Sequence, residues 1–170
     1  MTTCLDRLRA FLSDNGIQAE PEHHPETFTA QAMAAALHEK SKYIAKVFIA
    51  WADGDLVMFV LPANARVDLS RAQTLLKCQT VRPAREEEFS TVFPDCEVGA
   101  MPPFGSFYQL PVYFDSELAT RPYFLFAAGT HRDTLRMFTS DYLRLVAPVM
   151  ADFVLHEPEP ADTSLEQEHF

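Results

Sequence analysis

The sequence has few cysteines, no CxxC pair and no long hydrophobic run. Its three cysteines are Cys4, Cys78 and Cys96, and an odd number without paired spacing favours reduced thiols over a disulfide framework. No stretch approaches the roughly 18 apolar residues that a transmembrane helix needs, and residues 1–30 lack the features of a signal peptide. We therefore expect a cytoplasmic protein with no disulfide and no membrane partner.

The histidines also lack the spacing of a metal site. His23, His24, His38 and His131 form no HExxH motif and have no CxxC partner, which are the spacings typical of zinc proteins. We expect no metal and no other cofactor.

Negative charge is in excess and unevenly placed. The formal net charge is −10, which disfavours DNA or any long nucleic-acid duplex as a partner. Residues 156–170 hold five acidic side chains, two prolines and no Lys or Arg, a composition that predicts a disordered tail. The rest of the chain then carries −5, so any RNA contact is expected to be confined to a few nucleotides.

Residues 1–155, which precede the predicted tail, are enough for one compact domain. The chain has 170 residues, 48% of them hydrophobic, with 14 Phe, and this suffices for a single core. Hydrophobic spacing and capping residues predict five helices. These are a first helix containing Leu5, Leu8, Phe11 and Leu12, a second capped by Thr29 and running to about His38, a third capped by Asp68 and running to Leu76, a short acidic helix at Arg85 to Phe89, and a last helix at about Ser140 to Val146.

The strongest strand signal is a hairpin. Two β-rich runs, Lys46–Ala52 and Asp55–Leu61, flank the turn dipeptide Asp53-Gly54. Further extended runs are predicted at 17–23, 112–115 and 123–127. Helices and strands interleave without a βαβ repeat, so we expect an α+β fold with a mostly antiparallel, curved, barrel-like mixed sheet flanked by helices.

Three motifs, in this order along the chain, resemble the YbaK/prolyl-tRNA-synthetase-associated family of aminoacyl-tRNA editing domains. The first is His24-Pro-Glu-Thr-Phe-Thr-Ala-Gln31 before a small helix, followed by Lys46 at the head of the hairpin. The second is Gly99-Ala-Met-Pro-Pro103, a GxxxP loop, called here the GAMPP loop. The third is Ala127-Ala-Gly-Thr-His131, expected just before the last helix. The resemblance covers roughly residues 4–155.

This resemblance implies a hydrolase that deacylates mischarged aminoacyl-tRNA without metal or covalent intermediate. Its partner would be the acceptor 3′ end of a tRNA carrying an amino acid. Whether an aminoacyl-tRNA synthetase also binds the protein is left open. Many relatives have Thr after the lysine and Gly-Gly-x-Ser-Pro in the loop, whereas this chain has Val47 and Gly99-Ala100-Met101-Pro102-Pro103. The amino acid that is cleared is therefore not assigned.

The residue types of the GAMPP loop suit ester hydrolysis. The reaction passes through a tetrahedral oxyanion, which fixed backbone N–H donors stabilise by about 3 kcal/mol each. Gly99 allows close approach to the ester and Pro103 stiffens the exit, while Pro102 has no N–H to donate. The candidate donors are the amides of Gly99, Ala100 and Met101. The alternative is a proline-rich turn that only connects two strands.

Lys46 is the candidate for positioning the tRNA, because a flexible ammonium suits a terminal phosphate. The alternative is an inert surface lysine at a strand end. The nucleophile would be water, which, the family resemblance implies, a ribose hydroxyl of the terminal adenosine helps to activate.

Several residues are secondary candidates for substrate binding. His131 is a candidate contact for the ribose or the substrate amine, and otherwise a polar cap with Thr130 at the last helix. Apolar side chains are candidate pocket walls, although such residues are more often core. The full set of secondary candidates is His24, Phe28, Thr29, Gly129, Thr130 and His131, with Met33, Met101 and Phe104 as further apolar candidates.

Two other functions stay open. One is a non-catalytic module that binds aminoacyl-tRNA ends or a synthetase, which Val47 and Pro102 allow. The other is a hydrolase that uses Cys96 as a thiol nucleophile on another small ester or amide, which would require a neighbouring base and a lowered pKa.

Overall fold

The fold is an α+β arrangement of five helices and ten strands in residues 2–156, the part of the chain that the computed structural model describes. The helices are α1 (Cys4–Asp14), α2 (Ala30–Ala36), α3 (Leu69–Leu76), α4 (Glu86–Phe89) and α5 (Thr139–Val146). The strands are β1 (Glu22–His23), β2 (Ala45–Ala52), β3 (Asp55–Pro62), β4 (Ala65–Val67), β5 (Val81–Pro83), β6 (Val112–Asp115), β7 (Tyr123–Ala127), β8 (Asp133–Phe138), β9 (Val149–Ala151) and β10 (Val154–His156).

Side-chain caps fix where the helices begin. The Thr29 hydroxyl accepts from the Ala32 N–H at 3.0 Å, and the Asp68 carboxylate accepts from the Ser70 N–H at 3.0 Å, as predicted for both. The second helix is shorter than predicted. It ends at Ala36, and His38 has a left-handed φ of 54°, a conformation that stops helical hydrogen bonding.

The central sheet is built on the predicted hairpin. Residues 45–52 of β2 pair with 55–62 of β3 across the Asp53-Gly54 turn, in which both residues have positive φ, as a tight hairpin requires. The sheet order is β5-β2-β3-β6-β9, with β6 parallel to both β3 and β9. A second sheet, β1-β8-β7, and a pair, β10-β4, are antiparallel.

The predicted fold class is confirmed, since α and β elements alternate irregularly around mixed but mostly antiparallel sheets. The sheets do not close into a barrel; the parallel bridge between Ile44 and Leu125 joins the central sheet to the β1-β8-β7 sheet. The main core lies between these two sheets, where Phe104, Phe114, Phe124 and Tyr142 contact one another in edge-on or tilted pairs. No helix in residues 2–156 is long and apolar enough to cross a membrane.

The region around residue 130 differs from the prediction. The Ala127–His131 segment was expected just before the last helix, but strand β8 separates it from α5. The segment is therefore the β7–β8 turn. Thr130 does not cap a helix; its hydroxyl donates to Asp133 Oδ2 at 2.7 Å within this turn.

The first residue of the predicted tail, His156, lies in a strand. His156 pairs with Ala65 at the end of β10, so it belongs to the folded domain. The rest of that predicted tail, residues 157–170, lies outside the described residues.

Candidate functional site

A small pocket gathers most of the residues selected from the sequence. Its volume is about 70 Å³, well below the roughly 300 Å³ at which drug-sized ligand sites begin. The predicted residues that line it are Phe28, Thr29, Met33, Lys46, Gly99, Met101, Thr130 and His131. Segments far apart in sequence thus meet at one small cavity.

One side of this pocket, called here the loop wall, consists of residues 97–101 and 127–131. The two segments are cross-linked by backbone hydrogen bonds: the Glu97 N–H donates to Gly129 O at 2.8 Å, and the Gly129 N–H donates to Ala100 O at 2.8 Å. Ala100 and Met101 are buried. The loop wall is therefore held in one conformation by the main chain.

Two glycines allow this geometry. Gly99 has φ +86°, which L side chains rarely adopt. Gly129 has φ +96°, and a Cβ there would lie 2.8 Å from the Cβ of Cys4. Gly129 is thus required for close packing and does not line the pocket.

The donors of the GAMPP loop are fewer than the sequence allowed. The Ala100 N–H donates to Glu97 O at 3.0 Å and is committed to the loop itself. The N–H groups of Gly99 and Met101 donate to no acceptor within residues 2–156, and both residues line the pocket. These two amides are the ones left for a substrate oxygen.

Pro103 and His24 lie outside the pocket and have structural contacts. The buried Tyr142 hydroxyl donates to Pro103 O at 2.6 Å, which fixes the exit of the loop. His24 places Nδ1 2.8 Å from Pro25 O and Nε2 2.8 Å from the Thr134 hydroxyl. The geometry gives His24 a role in joining the 24–27 segment to β8.

His131 braces the loop wall. Its Nε2 lies 2.8 Å from Val98 O and its backbone N–H donates to Glu97 Oε2 at 3.1 Å. Because a carbonyl oxygen only accepts, Nε2 carries a hydrogen, and Nδ1 of the neutral ring is then an acceptor. The side chain is only 12% exposed. Its position in the pocket leaves Nδ1 as the ring atom for a ligand donor.

The opposite side, called here the helix wall, consists of residues 27–33 and 45–47. Phe28, expected to be core if not functional, is 69% exposed, and its ring lies 4.9 Å from that of His131. Met33, on the same wall, is buried. The helix wall thus presents side chains, whereas the loop wall presents main-chain N–H groups together with the His131 side chain.

Lys46 lies at the start of β2, where it lines the pocket and is partly buried. Its Nζ donates to Ala63 O at 3.3 Å, and Gln31 Nε2 donates to the same oxygen at 3.2 Å. The ammonium is therefore anchored between the hairpin and α2.

Cys96 lies outside the pocket. Its sulfur is 3.1 Å from the Tyr108 hydroxyl and 3.7 Å from Asp95 Oδ1. Its pKa is raised by its interaction with the Cys4 side chain and by partial burial. A thiol with a raised pKa is a poor nucleophile, so this arrangement does not favour the Cys96 hydrolase.

Cys4, Asp95 and Cys96 place three potential metal-ligand atoms within 4.8 Å of one another. The Tyr108 hydroxyl lies among them, 3.6 Å from Cys4 Sγ and 2.9 Å from Asp95 Oδ1. The group is thus a hydrogen-bonded cluster centred on a hydroxyl.

Sequence reasoning missed several contributors to the site. Thr27, Ala45 and Ala127 line the pocket, and Glu97 braces it. Small residues and a single acidic residue carry no chemical signature in sequence, so only the fold identifies them.

Comparisons with known proteins agree on the fold. A structure described as a candidate trans-editing enzyme for prolyl-tRNA synthetase aligns with a TM-score of 0.78 and 26% identity, over 93% of this chain and 99% of that one. A scaffold protein from work on computational epitope grafting aligns with a TM-score of 0.79 and 24% identity, over 93% and 100%. A hypothetical protein aligns with a TM-score of 0.78 and 20% identity, over 88% and 99%.

No protein with a curated description matches the sequence significantly. The model of the aminoacyl-tRNA editing domain family matches residues 24–145, a range that contains every residue of the pocket and both of its walls. The chain belongs to the aminoacyl-tRNA editing domain family.

Proposed function

We propose that this protein is a trans-editing deacylase, which hydrolyses the ester between a wrongly attached small amino acid and the tRNA 3′ end. The observation that carries the proposal is that one small pocket combines an anchored ammonium, Lys46, with the two uncommitted amides of Gly99 and Met101. Hydrolysis of an ester on a tRNA needs both groups, an ammonium for a phosphate of the tRNA and N–H donors for the oxyanion.

The chemistry follows from the two walls. The loop wall would direct the Gly99 and Met101 N–H groups at the oxygen that becomes negative in the tetrahedral intermediate. The nucleophile is water, activated by a ribose hydroxyl of the terminal adenosine. Lys46 holds a terminal phosphate, so that the ester is positioned against the loop. His131 accepts from the substrate ammonium through Nδ1.

The size of the pocket limits the substrate. A volume of about 70 Å³ bounded by Met33, Val47 and Met101 suits a small side chain. Synthetases need such editing, because one methylene contributes only about 1–3 kcal/mol to discrimination. Contact with the last nucleotides alone also suits a chain of net charge −10. The protein would act in the cytoplasm, alone or tethered to a synthetase.

A panel of tRNAs mischarged with Ala, Ser, Cys, Thr and Pro tests the proposal. The full chain should deacylate at least one of the smaller esters much faster than the uncatalysed reaction. Cys96→Ala should retain that activity, whereas a thiol hydrolase would lose it. If no ester is turned over although the protein binds the charged tRNA, the non-catalytic module is the better description.

A further inference from the structure

The cluster behind the loop wall brings two cysteines together from distant parts of the chain. Cys4 Sγ and Cys96 Sγ lie within 4.8 Å of each other. The Cys4 N–H donates to Asp95 O at 3.3 Å, so the backbone at the start of α1 is a direct neighbour of the backbone at Cys96. Side-chain rotation can close such a gap to the S–S bond length of about 2.05 Å when the two backbones are neighbours.

The two thiols differ in their surroundings. Cys4 is the first residue of α1, where the unsatisfied N–H groups of a helix favour negative charge. Its pKa is lowered by its interactions with Cys96 and Tyr108 and by the charge of Arg7, although burial and Asp95 oppose this. The pKa of Cys96 is raised by its interaction with the Cys4 side chain and by burial. A thiol with a lowered pKa beside a thiol with a raised pKa suits a two-step oxidation, in which the first thiol is oxidised and the second attacks it.

The cluster also has an approach from solvent. A shallow groove lined by Arg7, Asp95 and Tyr108 opens beside it, and Cys96 is partly exposed. Cys4 itself is 2% exposed, so only a small oxidant can reach its sulfur.

We propose that Cys4 and Cys96 form a redox modification site, which a small hydroperoxide converts to a disulfide. The Cys4 thiolate attacks one peroxide oxygen, the O–O bond breaks, and the leaving alkoxide or hydroxide takes up a proton. The resulting sulfenic acid on Cys4 is attacked by Cys96, which loses its thiol proton. The S–S bond forms, the S–O bond breaks and water leaves. The two thiols are oxidised, and the peroxide is reduced to an alcohol or water and one further water.

The bond would alter the loop wall. Cys96 would turn away from Tyr108 towards Cys4, and Cys96 is followed directly by Glu97, whose N–H and O hold Gly129 and Ala100. Gly129 in turn packs against Cys4. Oxidation therefore shifts the segment that positions Gly99, and we expect slower deacylation in the oxidised protein; this last consequence rests on the proposed function.

Peptide mapping tests the modification without any assay of activity. The reduced full chain is treated with increasing hydrogen peroxide, alkylated and digested. The expected product is a Cys4–Cys96 linked peptide. The mass of the chain should fall by about 2 Da for the two hydrogens removed. The number of thiols that can be alkylated should fall from three to one. Cys78→Ser is the matched control, because Cys78 lies outside the cluster, and it should form the same linked peptide.

Two variants separate the roles of the pair. In Cys96→Ser, Cys4 should accumulate as sulfenic acid that dimedone traps, and in Cys4→Ser the oxidation of Cys96 should slow by about tenfold or more. If either variant fails to fold, the peptide maps of the wild type and of Cys78→Ser still show whether Cys4 and Cys96 become linked. The proposal is overturned if Cys78 is oxidised first, or if Cys4 and Cys96 reach sulfinic acid without becoming linked.

Discussion

The two walls of the pocket are built in opposite ways. The loop wall is main chain held by main chain: Glu97, Ala100 and Gly129 are hydrogen-bonded to one another, and His131 ties the segment to Val98. The helix wall presents side chains, among them a Phe28 that is 69% exposed. A catalytic oxyanion needs donors that do not reorganise, whereas recognition tolerates adjustment. Under the proposed function, the loop wall supplies the oxyanion donors and the helix wall contributes to substrate preference, with Lys46 placing the tRNA end across both.

The largest effect is expected from Lys46→Met, which keeps the length of the side chain and removes its charge. Deacylation of the best ester from the panel should fall by roughly 100-fold, because the tRNA end loses its anchor. Stability should change by less than about 1 kcal/mol, since Gln31 still donates to Ala63 O. Single-turnover rates and thermal melts measure both quantities.

Lys77→Met is the matched control for that variant, because Lys77 ends α3, away from the pocket. It should retain full activity. A Lys46→Met protein that is folded and nearly as active as wild type would remove the role given to this lysine.

The next largest effect is expected from Gly99→Ala, which disturbs the loop wall alone. A side chain at φ +86° strains the backbone by about 1–2 kcal/mol, and relief of that strain would turn the amide away from the ester. Deacylation should fall by about 10-fold or more. Gly54→Ala imposes similar strain at φ +93° in the hairpin turn, so it should lose similar stability and no activity. Equal activity in the two variants would contradict a catalytic loop wall.

A smaller effect is expected from Phe28→Ala on the helix wall. The ring contacts His131 and otherwise faces solvent, so stability should be unchanged. KM should rise by roughly 3-fold to 10-fold with little change in kcat, because a binding surface is lost and the oxyanion donors remain. Phe138→Ala, which removes a ring that is 67% exposed on β8, should leave both constants unchanged. A large loss of kcat in Phe28→Ala would show that the division between the walls is wrong.

The smallest effect on activity is expected at Glu88, outside both walls. Hydrogen bonds from Arg82 and from the Arg85 N–H lower the pKa of Glu88 from 4.5 to about 2. The stabilisation is therefore complete above pH 4.5 and is lost as the pH falls towards 2. Glu88→Gln should flatten the stability curve in that window and leave deacylation at neutral pH unchanged. Denaturant titrations at several pH values measure this, with Glu87→Gln as the control.

Local structure with a strong sequence signal was predictable. The hairpin turn at Asp53-Gly54 and the caps Thr29 and Asp68 depend only on neighbouring residues, and the structure confirms them. Strand β8 was missed, although Leu135 and Met137 are buried while Arg136 and Phe138 are exposed. The sequence does not show this alternation clearly, because the exposed Phe138 is itself apolar. Strands β4, β5, β9 and β10 have three residues each, too few to show a period.

The candidate site also has a part that the sequence predicted and a part that it did not. The sequence selected Lys46, Gly99, Met101 and His131, and the pocket contains all four. It could not show that the Ala100 N–H donates to Glu97 O within the loop, because a pattern of residue types does not reveal such a turn. It also could not show that Gly129 braces the loop, because the bonds of Gly129 to Glu97 and Ala100 join residues about 30 positions apart. The pairing of Cys4 with Cys96 is of the same kind.

The sequence by itself determined the elements and the chemical groups: an acidic chain, a lysine opening a hairpin, and a glycine and proline loop able to expose amides. These follow from the residues themselves and from contacts a few positions apart. The tertiary structure alone decided which amides stay uncommitted, which side chains share a pocket and which thiols meet. Hydrogen bonding and close packing between distant segments settle these points, and one sequence carries no local signal for either.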